Sequence, residues 1–154
     1  MLRRAYRIVS PRHEATAWTG EGARRFGGRW NSPGRPVVYA ADTLSLAALE
    51  RLVHLEDHEV VGRHRWAWIE YDAKQMTTLA DDDLPASWRD DPAPPETQRV
   101  GDRWLAAGRP LVLRVPSVLV PGEYNVMFNP ADPRFDALTR SPFDRFVFDA
   151  RLAR

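Results

Sequence analysis

The chain has 154 residues, 22 basic against 21 acidic side chains, and no cysteine. That length points to one domain over residues 1–154, burying roughly two thirds of the extended chain's surface, enough for an ordinary core without disulfides or a structural metal. A net charge of +1 supplies no large field toward nucleic acid or anionic lipid. The absence of cysteine excludes thiolate zinc sites, iron–sulfur clusters and cysteine nucleophiles. No apolar run nears the roughly 18–20 residues of a membrane span, and MLRRAYRIVSPRHEA lacks the uncharged stretch of a secretory signal. A cytoplasmic protein is expected.

Tyr6-Arg7-Ile8-Val9 reads as a strand, and the glycine-rich stretch Thr16–Pro36 as turns and close backbone approaches. Val37–Ala40 is a second short strand. Asp42 or Thr43 then caps a helix over about Leu44–Leu55. At about 100° per residue, Leu44, Leu46, Ala48, Leu49, Leu52, Val53 and Leu55 fill an apolar arc of about 200°. Glu50 falls just past its edge, partly desolvated between core and solvent.

Trp66–Tyr71 has strand composition. Ala80–Glu96, with six acidic residues and four prolines, reads as an extended loop anchored by Trp88. A short helix from Gly101 ends near Gly108. Leu111–Val115 is a strand that Pro116 ends or confines to an edge, with Ser117 directly after it. Val118–Phe128 reads as a turn and a strand, and Phe143–Leu152 as a last strand. The class is α+β.

Several chemistries lack their residues. There is no Gly-Lys-Ser/Thr loop, no G-x-G-x-x-G after a strand and no G-x-S-x-G elbow. His54 and His58 have a spacing that can share zinc on a helix, with His64 beyond, but no third ligand is placed and no metal is expected. Six tryptophans and the arginines could stack and pair with single-stranded nucleic acid; core packing accounts for most of the tryptophans. Lys74 is the only lysine, a bias that matches a GC-rich coding sequence.

What remains is Gly27-Gly28-Arg29-Trp30-Asn31, then Val37-Val38-Tyr39-Ala40, then Ala48-Leu49-Glu50. With the N-terminal Tyr-Arg-Ile, Leu-Pro-x-x-Trp, Gly-Asp-x-Trp-Leu, Leu-Arg-Val-Pro-Ser, Glu-Tyr-Asn, Asn-Pro and the closing Phe-Asp-x-Arg-Leu, the sequence resembles the RES-domain toxins of bacterial toxin–antitoxin pairs over nearly its whole length. The loop Asn129–Pro133 departs from that pattern, lacking the histidine that often precedes its second proline. The resemblance implies a fold like the ADP-ribosyltransferase toxin core and an activity that consumes NAD+. It matches the signature residues to Arg29, Glu50 and Ser117, the site tyrosine to Tyr39 and a further arginine to Arg7. It also implies an Xre-type helix-turn-helix antitoxin over the active site, with nucleic acid met only through that partner.

These residue types suit the chemistry. Nicotinamide leaves NAD+ as a neutral base, so no general acid is needed, and positive charge develops on the ribose as in glycoside cleavage. A carboxylate at Glu50 stabilises that charge where water is excluded. Arg29 and Arg7 suit the pyrophosphate, Tyr39 the nicotinamide ring, and Asn125 a polar contact in the site. Ser117 suits a positioning hydrogen bond, since no His/Asp relay accompanies it. NAD+ is then substrate rather than cofactor, and inorganic phosphate a possible co-substrate beside water. The plainer alternatives are a loop arginine at 29, a core aromatic at 39, a turn cap at 117, an ion pair at 7 and a turn contact at 125. For the whole chain they are a protein ADP-ribosyltransferase or a non-catalytic arginine-rich RNA- or protein-binding module.

Overall fold

Two half-sheets meet at one residue pair, and that seam organises the molecule. The computed structural model describes residues 1–154. Its strands are β1 (Leu2–Val9), β2 (Val38–Ala41), β3 (His64–Asp72), β4 (Met76–Thr78), β5 (Val112–Pro116), β6 (Tyr124–Phe128), β7 (Thr139–Arg140) and β8 (Asp144–Phe146). The order is β4-β5-β6-β2-β1-β3-β7, with β8 also on β3. All pairings are antiparallel except β4 with β5. β1 pairs with β3 from Leu2 opposite Asp72 to Val9 opposite Arg65, but with β2 only where Tyr6 faces Ala41. On its other edge each strand is paired along its length, β1 with β3 and β2 with β6.

Four helices complete the α+β fold: α1 (Glu21–Phe26), α2 (Leu44–Leu52), α3 (Asp57–Val60) and α4 (Pro95–Ala107). None is long and apolar enough to cross a membrane. Ala5, Ile69 and Tyr71 of β1 and β3 pack with Val38, Val126 and Phe128 of β2 and β6, the Tyr71 and Phe128 rings meeting edge to face at 5.4 Å. On β5 and β6, α4 sets Val100, Trp104 and Leu105 against Leu113, Val115 and Met127, with Trp30 and Trp88 in the same cluster. Leu46 and Ala47 of α2 cover Ile8 and Ala41 beside the seam.

Three local expectations change. α4 begins at Pro95, six residues before Gly101, because proline is tolerated in a first helical turn where its missing N–H has no partner to lose. The glycine-rich stretch contains α1, ended by Gly27 at φ 72°. The Phe143–Leu152 tail is a strand only over Asp144–Phe146.

The roll of α2 differs most. Thr43 caps it, its hydroxyl accepting from the Leu46 N–H at 3.0 Å, and it stops at Leu52. Its buried residues are Leu46 and Ala47, while Leu49 and Val53 are 42% and 57% exposed. Glu50 and Arg51, four residues beyond that buried pair, therefore stand over it on the inward face. A helix placed by its apolar residues alone would turn this face outward.

Gly101 allows α4 to lie against the loop that carries Trp30. A Cβ there would collide with the Trp30 carbonyl oxygen, whereas one at Gly22 meets nothing within 4 Å. We expect Gly101→Ala to cost about 3 kcal/mol, as overpacking against rigid backbone does, lowering Tm by about 6–12 °C. Gly22→Ala in α1 should instead gain about 0.5–1 kcal/mol. Thermal unfolding of both variants checks the pair, and equal effects would contradict this packing.

Candidate active site

Glu50 is the centre of a small polar clamp. The Asn125 amide nitrogen donates to Glu50 Oε1 at 2.7 Å and the Ser117 hydroxyl donates to the same oxygen at 3.1 Å. Asn125 lies on β6 opposite Ala41 of β2 and Val115 of β5, so the sheet fixes its position. Ser117 is 1% exposed, and its oxygen accepts from the backbone N–H groups of Leu119 at 3.0 Å and Val120 at 3.2 Å. It thus caps the turn after Pro116 and also bonds the Glu50 carboxylate. No relay stands behind Ser117, so its geometry is that of a positioning residue. Glu50 is partly exposed, and its Oε2 takes no hydrogen bond from the chain, leaving one carboxylate oxygen held and one available.

Arg7 stands at the seam, next to Tyr6. Its Nη1 donates to the Tyr39 carbonyl at 2.6 Å, bridging β1 and β2 where they part. Burial, followed by repulsion from Arg51, lowers its pKa to about 10. Arg7 makes no ion pair, so the structural ion-pair alternative has no partner in the fold.

The Tyr39 hydroxyl organises the GGRWN segment. It donates to Asn31 Oδ1 at 2.6 Å and accepts from the Trp30 N–H at 3.2 Å, and its pKa is raised chiefly by burial. Asn31, fully buried, donates onward to the carbonyls of Ala23 and Ser32 at 3.0 and 3.1 Å. A Cβ on Gly28 would lie 2.8 Å from the Tyr39 hydroxyl oxygen, which is the physical need for a glycine before Arg29. Arg29 turns toward the acidic loop: Nη1 donates to the carbonyls of Trp88 and Asp90 at 2.9 and 2.6 Å, with Asp91 3.9 Å from Nη2. Trp88 anchors that loop, as expected, against Trp30 with ring centroids 6.0 Å apart.

The structure therefore joins Glu50, Ser117 and Asn125 directly, and Arg7 to Tyr39 through a carbonyl, while Arg29 is engaged with the loop after Trp88. Sequence reasoning missed Arg114 and Asp42. Arg114 donates to Asp42 Oδ2 at 2.8 Å through Nε, with Nη2 2.7 Å from the same oxygen, and lies 3.7 Å over the Tyr124 ring. This tie holds the start of α2 to β5 and β6, and so holds Glu50 beside Ser117 and Asn125. The one available signal was the choice of cap, since a carboxylate at 42 left free by Thr43 needs another partner. No group of three potential metal ligands converges: His54 and His58 are exposed, and buried His64 has its Nε2 2.9 Å from the Glu59 carbonyl.

A model of the RES domain matches residues 4–149. A protein of Yersinia enterocolitica named Toxin Res is 42% identical over 149 residues, covering 96% of this chain and 97% of that one. The Prs ADP-ribosylating toxin of a Sphingobium strain is 33% identical, covering 92% and 90%. Among solved structures, the MbcT–MbcA toxin–antitoxin complex of M. tuberculosis contains a chain with the same fold, at TM-score 0.75 and 21% identity, over 96% of this chain and 85% of that one.

Removing the Tyr39 hydroxyl should loosen the loop beneath Arg29. Tyr39→Phe leaves buried Asn31 Oδ1 and the Trp30 N–H without their partner, a loss of about 1–3 kcal/mol. Denaturant unfolding should read that as a lower midpoint at unchanged slope; a midpoint equal to wild type would mean the two groups find other partners.

Proposed function

Because the chain belongs to the RES-domain family, we propose that it is the toxin of a toxin–antitoxin pair and cleaves the nicotinamide–ribose bond of NAD+. The observation that carries this reading is the clamped carboxylate of Glu50, with Oε1 fixed by two donors and Oε2 unoccupied. When the C1′–N bond breaks, its electron pair leaves with nicotinamide, which departs neutral. Positive charge then grows on the ribose C1′ and ring oxygen. Glu50 stabilises that charge from a position set before the reaction, so little reorganisation accompanies it. Water or inorganic phosphate then bonds to C1′, water giving up a proton to solvent, and the product is ADP-ribose or its 1″-phosphate.

Ser117 and Asn125 act on Glu50 as positioning residues. Arg7 serves the diphosphate, and Tyr39 holds the loop that borders the nicotinamide end. Arg29 serves the diphosphate by exchanging its loop carbonyls for phosphate oxygens. The partner is a helix-turn-helix antitoxin of Xre type covering this site. Exposed Leu49 and Val53 on α2, and Leu119 on the turn that caps through Ser117, offer it apolar surface around Glu50. Transfer of ADP-ribose to a protein is the second reading, favoured by the name of the Sphingobium relative.

NAD+ turnover by purified chain, followed by NMR and mass spectrometry with and without phosphate, tests the proposal. Wild-type chain should consume NAD+ and release nicotinamide, with the product mass identifying the acceptor. Glu50→Gln keeps the size and the oxygen that Asn125 and Ser117 address but removes the charge, so turnover should fall about 10²–10³-fold or more at near-wild-type Tm. Full activity in that variant would sink the mechanism. Stoichiometric modification of a protein with little free ADP-ribose would select the transferase reading.

A further inference from the structure

The acidic side of the site has its partners, but its basic side does not. Arg51 follows Glu50 on α2 and stands one turn beyond buried Ala47, on the face turned toward the seam. Arg7 borders the same seam and uses one nitrogen, Nη1, on the Tyr39 carbonyl. The Nε atoms of both arginines are buried and have no hydrogen-bond partner. Neither guanidinium has a carboxylate within 4.0 Å, although eleven ion pairs, most of them arginine pairs, occur elsewhere in the chain. The carboxylate that most attracts Arg51 is Glu59, whose Oε2 instead accepts from the Glu56 N–H at 2.8 Å to cap α3. Arg12, also without an ion pair, adds a third positive charge near Arg51.

Desolvating one guanidinium without a counter-charge is costly, and placing two within reach of each other's field adds repulsion. Burial lowers the pKa of both Arg7 and Arg51, and Arg51 further opposes the charge on Arg7. A bound anion removes both costs. The planar donor fork of arginine fits phosphate oxygens in pairs.

We propose that Arg7 and Arg51 form a binding site for a phosphate group beside Glu50, with Arg51 supplying the second guanidinium. The identity of that phosphate rests on the NAD+ reading above. In the dinucleotide the diphosphate joins the reacting ribose through C5′, so adjacent residues of α2 would serve adjacent parts of one substrate, Glu50 the ribose and Arg51 the phosphate. Free orthophosphate, bonding at C1′, offers the same chemistry from a second source.

Calorimetric titration with ADP and with inorganic phosphate separates the two, using wild type, Arg51→Met, which keeps the aliphatic stem, and Arg51→Lys, with Tm measured for each. Arg51→Met should weaken ADP tenfold or more and Arg51→Lys should restore part of the loss; KM for NAD+ should rise by a similar factor while kcat stays within about threefold. A tenfold loss confined to orthophosphate assigns the site to the free acceptor. Unchanged affinity for both anions in folded Arg51→Met, or no binding of either by wild type, overturns the site. Arg51-dependent ADP binding by a chain that leaves NAD+ intact would overturn the proposed activity and leave the site standing.

Discussion

The single Tyr6–Ala41 pair between β1 and β2 is the constraint on which the site depends. A ladder continued past that pair would satisfy the backbone of both strands and close the space between them. Because it stops, Arg7 reaches across to the Tyr39 carbonyl, and α2 packs beside the seam through Leu46 and Ala47. The placement of Arg7 and of α2 is thus a consequence of where strand pairing stops.

Glu50 is held by a second level of organisation. A carboxylate on the inward face of a helix is stable only with hydrogen bonds for its charge, and β5 and β6 supply them from Ser117 and Asn125. The same strands tie the start of α2 through Arg114 and Asp42. One half-sheet therefore fixes both ends of the helical segment that carries the carboxylate. The GGRWN segment is fixed separately, by Tyr39, by Asn31 and by α4, where Gln98 donates to the Gly28 carbonyl and Asp102 accepts from Ser32.

Against this order, two features run contrary to ordinary packing. Apolar Leu49 and Val53 face solvent while Glu50 and Arg51 face in, and the buried Nε atoms of Arg7 and Arg51 have no hydrogen-bond partner. Both are local departures from what stability alone favours, and such departures concentrate where a protein meets other molecules. The exposed apolar face suits a covering partner and the unpaired cations suit an anionic ligand.

Much was legible in the residues themselves. Strands β1, β2, β3, β5 and β6 follow from short apolar runs, a cap at Asp42 or Thr43 from helix-start chemistry, and the Trp88 anchor from an aromatic in a proline-rich loop. What stayed hidden shares one cause. The roll of α2, the early start of α4, the turning of Arg29 to the loop carbonyls and the Arg114–Asp42 tie all depend on surfaces assembled from distant parts of the chain. Local periodicity records how apolar a face is; which face is buried is decided by the sheet it meets. The α+β class and the family are written in residue type and order along the chain, which is why both can be read without coordinates. That Ser117 and Asn125 share one oxygen of Glu50, and that Arg51 lies on the inward side of α2, depends on strand register and helix roll, which no local stretch of residues records.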